Sequence, residues 1–242
     1  MRTPMFEYSN CVLAHLERVA DTQRTALEAA ARQVARTIVE DRIIHTFGTG
    51  HSHMIGVEMF TRAGGLGNVN AMLDSTVTAI EGARRSAAAE RISGMAELIW
   101  DEHVIAPEDL MIIISNSGRN AMPIEMAMKA RSYGLFTIAV TSMQHSLLYE
   151  SRHSSGRKLY ELADLVIDNC VPPGDVSMQV GSIRTGPLTS VTGMFIVNIL
   201  LTEGLKLAHA QGADLPVYRS QNTDETENEI LFERYKGRVK HI

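Results

Sequence analysis

Short apolar segments alternate with loops of small residues and with helical segments, and this order restricts the possible folds more than any other feature. Residues 43–47 form a β-prone run that stops at the glycine-containing residues 48–50, and helical periodicity follows. Residues 110–114 are apolar at every position and lead into the small residues 115–118. A strand that is apolar on both faces is typical of a buried parallel sheet. The alternation predicts an α/β chain with helices on both faces of that sheet.

The periodicity of the remaining chain extends the same order. Residues 143–159 have no apolar periodicity, and we expect them to form an exposed loop. The expected strands are residues 43–47, 68–74, 110–114, 135–141 and 163–168. The expected helices are residues 52–62, 84–100, from after residue 118 to about residue 133, and 188–210, preceded by an amphipathic helix or helix pair within residues 6–40.

Composition indicates one domain, since we find no low-complexity linker and no repeat of solenoid period. We therefore predict that residues 1–242 form a single domain. Within it, residues 1–40 are a helical lead-in, residues 41–210 are the α/β core and residues 211–242 are a charged C-terminal tail. The tail is expected to lie on the surface or over a neighbouring subunit.

Charge and cysteine content exclude several classes of partner. The chain has 23 Lys and Arg against 28 Asp and Glu, a formal net charge of −5. Nucleic-acid binding depends on clustered basic residues, so we expect no nucleic-acid partner. Cys11 and Cys170 are too few for a disulfide scaffold and favour a reducing, cytoplasmic setting. The charge-free residues 185–202 are interrupted by Gly, Pro, Ser and Asn, so they predict a buried helix and not a membrane span.

Two strand ends carry the residues that could bind a ligand. Residues 48–53 place glycines and Ser52 before one helix, and residues 115–120 place hydroxyl and amide side chains before another. In open parallel sheets, ligands bind at the carboxyl ends of the strands, where helix N-termini favour anions. Neither loop has the P-loop spacing with its Lys, and the first lacks the third glycine of the dinucleotide motif. A single phosphate monoester fits this pattern better than a polyphosphate.

At these two loops the sequence resembles the SIS, or sugar isomerase, domain family. That resemblance implies a flavodoxin-like three-layer α/β/α sandwich with a five-stranded parallel sheet, which binds phosphosugars. It further resembles a little-characterised branch of phosphosugar-binding SIS proteins. The segments that carry this second likeness are residues 50–54, 62–66, 115–121, 152–156 and 172–175.

The resemblance, together with the loop chemistry, gives a set of phosphate-binding candidates. Many relatives carry Ser or Thr where Asn120 stands, so this position keeps a donor and loses a hydroxyl. Some sugar-phosphate isomerases place a catalytic Glu shortly after a Pro-Leu helix start, whereas residues 191–193 here are Val, Thr and Gly. Isomerase activity therefore does not follow from the resemblance alone. The candidates are Gly50, Ser52, Ser115, Asn116, Ser117, Gly118 and Asn120.

Acid–base candidates lie beside the first loop. Aldose–ketose isomerisation needs a base that moves a proton between adjacent carbons and an acid that opens the sugar ring. Glu58, six residues after Ser52, is the candidate base, with a solvated helix carboxylate as the alternative. His51 and His53 flank Ser52 and are candidates for ring opening or hydroxyl binding. These two histidines and Glu58 could also share a divalent metal, but no further ligand is fixed by spacing, and we expect no metal and no cofactor.

Three further side chains are candidates for a supporting or neighbouring-subunit role. Glu125 lies in the first turns of the second loop's helix, where capping is expected more than catalysis. His145 and His153 lie in the polar segment that could cover the pocket.

Three functions are compatible with these residues. The leading hypothesis is a sugar-phosphate (aldose–ketose) isomerase that acts through an enediol(ate). The second is a lyase like the N-acetylmuramic acid 6-phosphate etherases, because residues 181–184 before a long helix resemble those enzymes. The third is a non-catalytic phosphosugar sensor. The resemblance also implies a homodimer or homotetramer.

Overall fold

The computed structural model describes residues 6–223 and 227–242, and a five-stranded parallel sheet forms its centre. The strand order is β2-β1-β3-β4-β5, the flavodoxin-like order. The predicted fold class, a flavodoxin-like three-layer α/β/α sandwich, is confirmed. The five strands are β1 (Ile44–Gly48), β2 (Val69–Ala71), β3 (Leu110–Ile114), β4 (Phe136–Thr141) and β5 (Leu165–Asp168).

Helices cover both faces of the sheet. Alternate residues of β3 enter two different apolar clusters: Leu110, Ile112 and Ile114 pack on one face, and Met111 and Ile113 on the other. The first face holds α1, α2, α3 and α8, and the second holds α4, α5 and α6. The helices are α1 (Glu7–Thr22), α2 (Arg24–Val39), α3 (Ser52–Met59), α4 (Ala83–Ala89), α5 (Met95–Asp101), α6 (Ala121–Ser132), α7 (Met143–Leu148), α8 (Thr189–Ala210) and α9 (Glu229–Tyr235).

Helix α8 is the central helix of the first face. Within the described residues it is the one helix long and apolar enough to cross a membrane by length and composition. It packs against α2 and α3 and contributes fully buried side chains such as Ile196, Val197 and Leu200. It therefore lies in the core, as the sequence predicts.

The prediction of a single alanine-rich helix over residues 84–100 is wrong. This segment is broken into α4 and α5, and Gly94 precedes α5 in a left-handed conformation with φ 88°. Glycine adopts this conformation without the steric cost that a Cβ brings, so the chain can turn here. The predicted strand 68–74 exists but is only the three residues of β2.

We predicted an exposed loop at residues 143–159, but part of this segment is helical and part of it is buried. Its first six residues form α7, which the hydroxyl of Ser142 caps by accepting from the N–H of His145. Ser146 and Leu159 are buried, and the N–H of Leu159 donates to the carbonyl of Gly118 at 2.9 Å. The segment is therefore held against the loop that precedes α6.

Most described residues of the C-terminal tail lie on the surface, as expected, and the end of the tail packs on its own chain. Tyr235 of α9 is buried and packs in a small cluster with Ile43 and Val239. Arg234 and Arg238 both form ion pairs with Asp41, at 2.9 Å each. Residues 1–5 of the lead-in and 224–226 of the tail lie outside the described residues.

A small antiparallel hairpin, unpredicted from the sequence, precedes α8. Its strands are β6 (Met178–Val180) and β7 (Ile183–Thr185), and they pair with each other in a separate two-stranded sheet. Residues 181–184, which resemble the etherases, form its turn and second strand, with Gly181 at φ 60°. Val180 and Ile183 are exposed.

Candidate functional site

Two loops meet at the point where the strand order reverses. Strands β1 and β3 are neighbours, and Gly48 at the end of β1 pairs with Ile114 at the end of β3. Residues 49–51 (the first loop) and 115–120 (the second loop) therefore start side by side, about 4.8 Å apart. The first leads to α3 on one face and the second to α6 on the other. This divergence opens a crevice at the carboxyl edge of the sheet, the usual ligand position in such folds.

Glycine is required for the tight path of the first loop. A Cβ on Gly48 would lie 2.7 Å from the backbone carbon of Ser52, so no other residue fits there without a backbone shift. Gly50 has φ 55°, and its N–H donates to the carbonyl of Val77 at 2.7 Å. The Ser52 side chain is buried at the start of α3, and its hydroxyl makes no hydrogen bond within the described residues.

The second loop is shaped by its own side chains. The N–H of Gly118, at φ 57°, donates to the hydroxyl oxygen of Ser115 at 3.1 Å. The amide oxygen of Asn116 accepts from Asn169 at 3.0 Å. In the part of the chain that the structure describes, the hydroxyl of Ser117 and the N–H groups of residues 117, 119 and 120 have no partner. These groups and the N-terminus of α6 are suited to bind an anion.

Glu90 joins the two loops, and the sequence analysis missed it. Its carboxylate accepts from the Thr49 hydroxyl at 2.9 Å and from Asn120 Nδ2 at 2.8 Å. Its carbonyl also accepts from the N–H of Met122, in the first turn of α6, at 3.3 Å. No spacing signal marks Glu90, since it lies about 40 residues from one loop and 30 from the other. The loops are thus fixed relative to each other by one side chain.

Both ends of the Asn120 side chain are already engaged. Its Nδ2 donates to Glu90, and its Oδ1 accepts from Arg152 Nη1 at 3.0 Å. Its backbone N–H is the group left for a ligand. Arg152, also missed as a single residue by the sequence analysis, is thereby placed beside the second loop.

Glu58 lies at the far end of α3, and its side chain faces α8. It is six residues beyond Ser52, which places it about 9 Å further along the helix axis. Its carboxylate pairs with Arg62 and accepts from Asn198 Nδ2 at 2.9 Å. A groove of about 500 Å³ runs along this side of α3, lined by His53, Met54, Val57, Glu58, Phe60, Arg62, Ala63 and Met194.

The two histidines beside Ser52 have different surroundings. His53 Nδ1 contacts the carbonyl of Gly50 at 2.5 Å and so carries the proton of that hydrogen bond. Its Nε2 is then the nitrogen that accepts a proton in the neutral ring. His53 lines the groove, whereas His51 is exposed at the first loop.

The three supporting candidates are divided between two places. Glu125 accepts from the N–H of Gly94 at 2.8 Å and pairs with His153 Nε2 at 3.3 Å. His145 lies apart from them, in contact with the ring of Tyr149. Burial and the nearby charge of Arg119 lower the pKa of His145. Within residues 6–223 and 227–242 no three His, Cys, Asp or Glu side chains are grouped to hold a metal ion.

Comparison with known proteins identifies the family and agrees with the fold. The SIS domain family model matches residues 7–142. A UPF0309 protein from Halalkalibacterium halodurans is 40% identical over 224 residues, which cover 91% of this chain and 93% of the relative. The structure of a phosphoheptose isomerase from Francisella tularensis matches with a TM-score of 0.55 at 16% identity, over 81% of this chain and 94% of that one. A phosphoheptose isomerase from Neisseria gonorrhoeae matches with a TM-score of 0.51 at 15% identity, over 79% and 92%. At these identities the two structures show a shared fold, and the family model and the sequence relative together show that this chain belongs to the SIS domain family, among its UPF0309 proteins.

Proposed function

We propose that this protein is a sugar-phosphate isomerase that interconverts an aldose and a ketose. The observation that carries the proposal is the crevice at the switch point of the sheet, where Glu90 joins the first loop, which leads into Ser52, to the second loop, which contains Ser117. The hydroxyls of Ser52 and Ser117 and the free N–H groups of the second loop are the phosphate ligands. A phosphate dianion there is stabilised by the positive end of the α6 dipole.

The sugar chain extends from this phosphate along the groove beside α3. Glu58, about 9 Å from Ser52 along the helix, is within the length of a phosphosugar. Its carboxylate removes the proton from the carbon next to the carbonyl, which gives an enediolate, and returns it to the neighbouring carbon. Arg62 and Asn198 hold the carboxylate in place. His53 Nε2 exchanges the proton on the sugar oxygens and opens the ring.

Deuterium exchange tests the proposed reaction directly. The protein is incubated in D2O with pentose, hexose, heptose and amino-sugar phosphates, and NMR follows product and deuterium at carbons 1 and 2. We expect one of them to isomerise. Glu58→Gln is expected to lower the rate at least about 100-fold while the substrate still binds. Glu203→Gln, which removes an exposed carboxylate on α8, is the matched control. No exchange with any sugar phosphate contradicts the proposal.

The rest of the assignment belongs to the same proposal. The protein acts in the cytoplasm as one SIS domain of residues 1–242, without cofactor or metal, and as a homodimer or homotetramer. The phosphoheptose isomerases that share its fold support a phosphorylated sugar as ligand.

A further inference from the structure

Asn116 carries an amide group in the second loop that the proposed phosphate contacts do not use. Leu110, Ile112 and Ile114 of β3 point to the face of the sheet that holds α3 and α8. The carbonyl of Asn116 still accepts from the N–H of Ser142, in the direction of β4, at 3.0 Å. The alternation of the strand therefore extends to residue 116 and places its side chain on the same face. The proposed path of the sugar, beside α3, runs along this face.

The orientation of the Asn116 amide is set by Asn169, which directly follows β5. A backbone N–H can only donate, so the Asn169 atom that the N–H of Val171 contacts at 3.0 Å is the amide oxygen. The other end of that amide is Nδ2, which donates to Oδ1 of Asn116 at 3.0 Å. Nδ2 of Asn116 then has no hydrogen-bond partner among the described residues. Because Asn116 is only half-buried, this nitrogen is open to a ligand.

Asn169 is itself fixed in a buried position, with 2% of its surface exposed. Its N–H donates to the carbonyl of Thr141 at 2.9 Å, and its carbonyl accepts from His15 Nε2 at 2.9 Å. Turning its side-chain amide round would break the hydrogen bonds to Val171 and Asn116 together. A buried polar group whose partners are all in place is held in one orientation. Asn116 therefore presents N–H groups, and not an oxygen, to the side on which the sugar lies.

A donor at this place suits one particular atom of a phosphosugar. Asn116 directly precedes Ser117, whose hydroxyl and N–H are proposed phosphate ligands, so its amide reaches the first atoms of the sugar beyond the ester. The carbon next to the phosphate-bearing carbon carries an oxygen. In a hexose 6-phosphate pyranose or a pentose 5-phosphate furanose this is the ring oxygen, which can only accept a hydrogen bond. After ring opening it is a hydroxyl, which also accepts, so an N–H donor can hold it in both forms.

We propose that Asn116 is a specificity-determining residue, whose Nδ2 donates to the oxygen on the carbon next to the phosphate-bearing carbon. Asn169 is the positioning residue that keeps this donor turned towards the sugar. The inference rests on the proposed function, because it takes the phosphate to lie between the two loops. The preferred substrates are phosphosugars that close their ring through this oxygen, and the contact persists while the ring opens.

Two small phosphate monoesters test the contact itself. sn-Glycerol 3-phosphate has a hydroxyl on the carbon next to the phosphate-bearing carbon, and 3-hydroxypropyl phosphate lacks only that hydroxyl. Phosphorus NMR titration measures both Kd values. We expect the wild type to bind the glycerol ester about fivefold more tightly, the range of one neutral hydrogen bond.

Asn116→Ala assigns this difference to the amide. The variant should bind the two esters equally, while its Kd for 3-hydroxypropyl phosphate stays within about twofold of the wild-type value. Asn10→Ala is the matched control, because it removes an exposed amide of α1 and should change neither Kd.

Asn169→Asp tests the orientation of the donor. Its carboxylate still accepts from Val171 but cannot donate to Asn116, so the Asn116 amide turns round and presents Oδ1 to the sugar. The ligands are 1,5-anhydro-D-glucitol 6-phosphate, with a ring oxygen at carbon 5, and D-glucitol 6-phosphate, with a hydroxyl there. The added negative charge weakens binding of both esters, so the ratio of their Kd values is the readout. We expect the anhydroglucitol ester to lose at least about fivefold more affinity than the glucitol ester, because two acceptors repel each other.

Each other result has a defined meaning. Equal affinity of the wild type for the two small esters overturns the inference and leaves the proposed function in place. Loss of affinity for both small esters in Asn116→Ala shows that this side chain supports the loop or the phosphate, which also overturns it. An unchanged ratio for the glucitol esters in a folded Asn169→Asp overturns the positioning role, and if circular dichroism shows that this variant is unfolded, Asn116→Ala decides alone. No binding of any of the four esters overturns the proposed function as well.

Discussion

Glu90 accepts a hydrogen bond from each loop, so changing one carboxylate oxygen tests whether the loops form a single site. In Glu90→Gln an amide N–H₂ faces either Asn120 Nδ2 or the Thr49 hydroxyl, and one charge-assisted hydrogen bond is lost. We expect the free energy of unfolding to fall by about 1–2 kcal/mol. Binding of glucose 6-phosphate is expected to weaken by about tenfold. Urea denaturation and calorimetry measure the two effects.

A surface glutamate on the same face of the sheet provides the control. Glu97→Gln breaks an exposed pair with Lys129 and should leave ligand binding unchanged. If Glu90→Gln binds glucose 6-phosphate as tightly as the wild type, the two loops do not act together.

A second polar cluster, away from the crevice, joins side chains of β1 and β2 to two residues that precede β3. Asn70 Nδ2 donates to Nδ1 of His45 at 2.9 Å and to Nδ1 of His103 at 3.0 Å. His45 Nε2 then carries its proton and donates to Asp109 at 3.1 Å. Burial alone would raise the pKa of Asp109, but the hydrogen bonds from His45 and from the N–H groups of residues 43 and 106 lower it. The backbone N–H of Lys240 completes the cluster by donating to Asn70 Oδ1 at 3.1 Å.

His103 makes the stability of this cluster depend on pH. Burial and the charge of Lys240 lower its pKa from 6.5 to about 4, and its buried Nε2 has no partner. As the pH falls from 6.5 to about 4, the unfolded chain gains a proton at this residue and the folded chain does not. Stability is therefore lost across that window, by about 2–3 kcal/mol. Guanidinium denaturation of the wild type and of His103→Gln at pH 7 and pH 4 measures this contribution.

Between pH 7 and pH 4 the His103→Gln variant should lose about 2–3 kcal/mol less stability than the wild type. His209→Gln, on the exposed side of α8, removes a histidine without a buried environment and should show the wild-type pH dependence. Parallel pH curves for the wild type and His103→Gln would contradict the prediction.

Some site residues could be predicted from the sequence, and others could not. Ser52 and Ser117 follow strands within one local strand–loop–helix pattern, which places them at the carboxyl edge. Glu90, Arg152 and Asn198 reach the site from distant segments, and only the packing of the sheet brings them there. The charged partners of Asn120 could not be predicted for the same reason, since both ends of its amide bind residues that are distant in the sequence.

Close packing of α3 on α8 explains why residue 193 of α8 is a glycine. A Cβ on Gly193 would lie 2.1 Å from Cδ1 of Ile55, which is itself buried. Helix propensity favours Ala over Gly by about 1 kcal/mol, but overpacking a buried contact costs about 1–3 kcal/mol. We expect Gly193→Ala to destabilise the protein by up to about 2 kcal/mol, the difference between the two effects. Thermal and urea unfolding measure the change.

A second substitution separates the steric effect from other causes. Ile55→Val removes the Cδ1 atom that meets the new Cβ, so Gly193→Ala should cost less in that background. Additive effects of the two substitutions would show that the contact does not limit the packing.

Helices and strands were predictable where periodicity extends over many residues. Strands β1, β3 and β4 and helices α6 and α8 are where the apolar pattern predicts them. The break at Gly94 is hidden by an alanine-rich sequence, and the hairpin is too short and too exposed to give a pattern. The tail's α9 is also missed, because its helix is only seven residues long and its burial depends on Asp41 and Ile43 from the start of β1.

The hairpin also carries our prediction about assembly. A two-stranded hairpin is marginally stable alone, and within residues 6–223 and 227–242 this one pairs with no other strand. Val180 and Ile183 near its turn are 62% and 68% exposed, so a second copy of the chain would bury them with a gain in free energy. We expect a homodimer or homotetramer at micromolar concentration. Val180→Lys with Ile183→Lys is expected to shift the protein towards the monomer with unchanged circular dichroism.

Light scattering after size-exclusion chromatography measures the mass of each species. Val104→Lys is the matched control, because Val104 is 63% exposed but lies outside the hairpin, before the amino end of the central strand β3. This variant should keep the wild-type mass, since a lysine there meets no part of the hairpin. A wild-type monomer contradicts the assembly itself. An oligomer that both variants retain contradicts only the role of the hairpin and directs attention to the exposed side chains of α1 and α8.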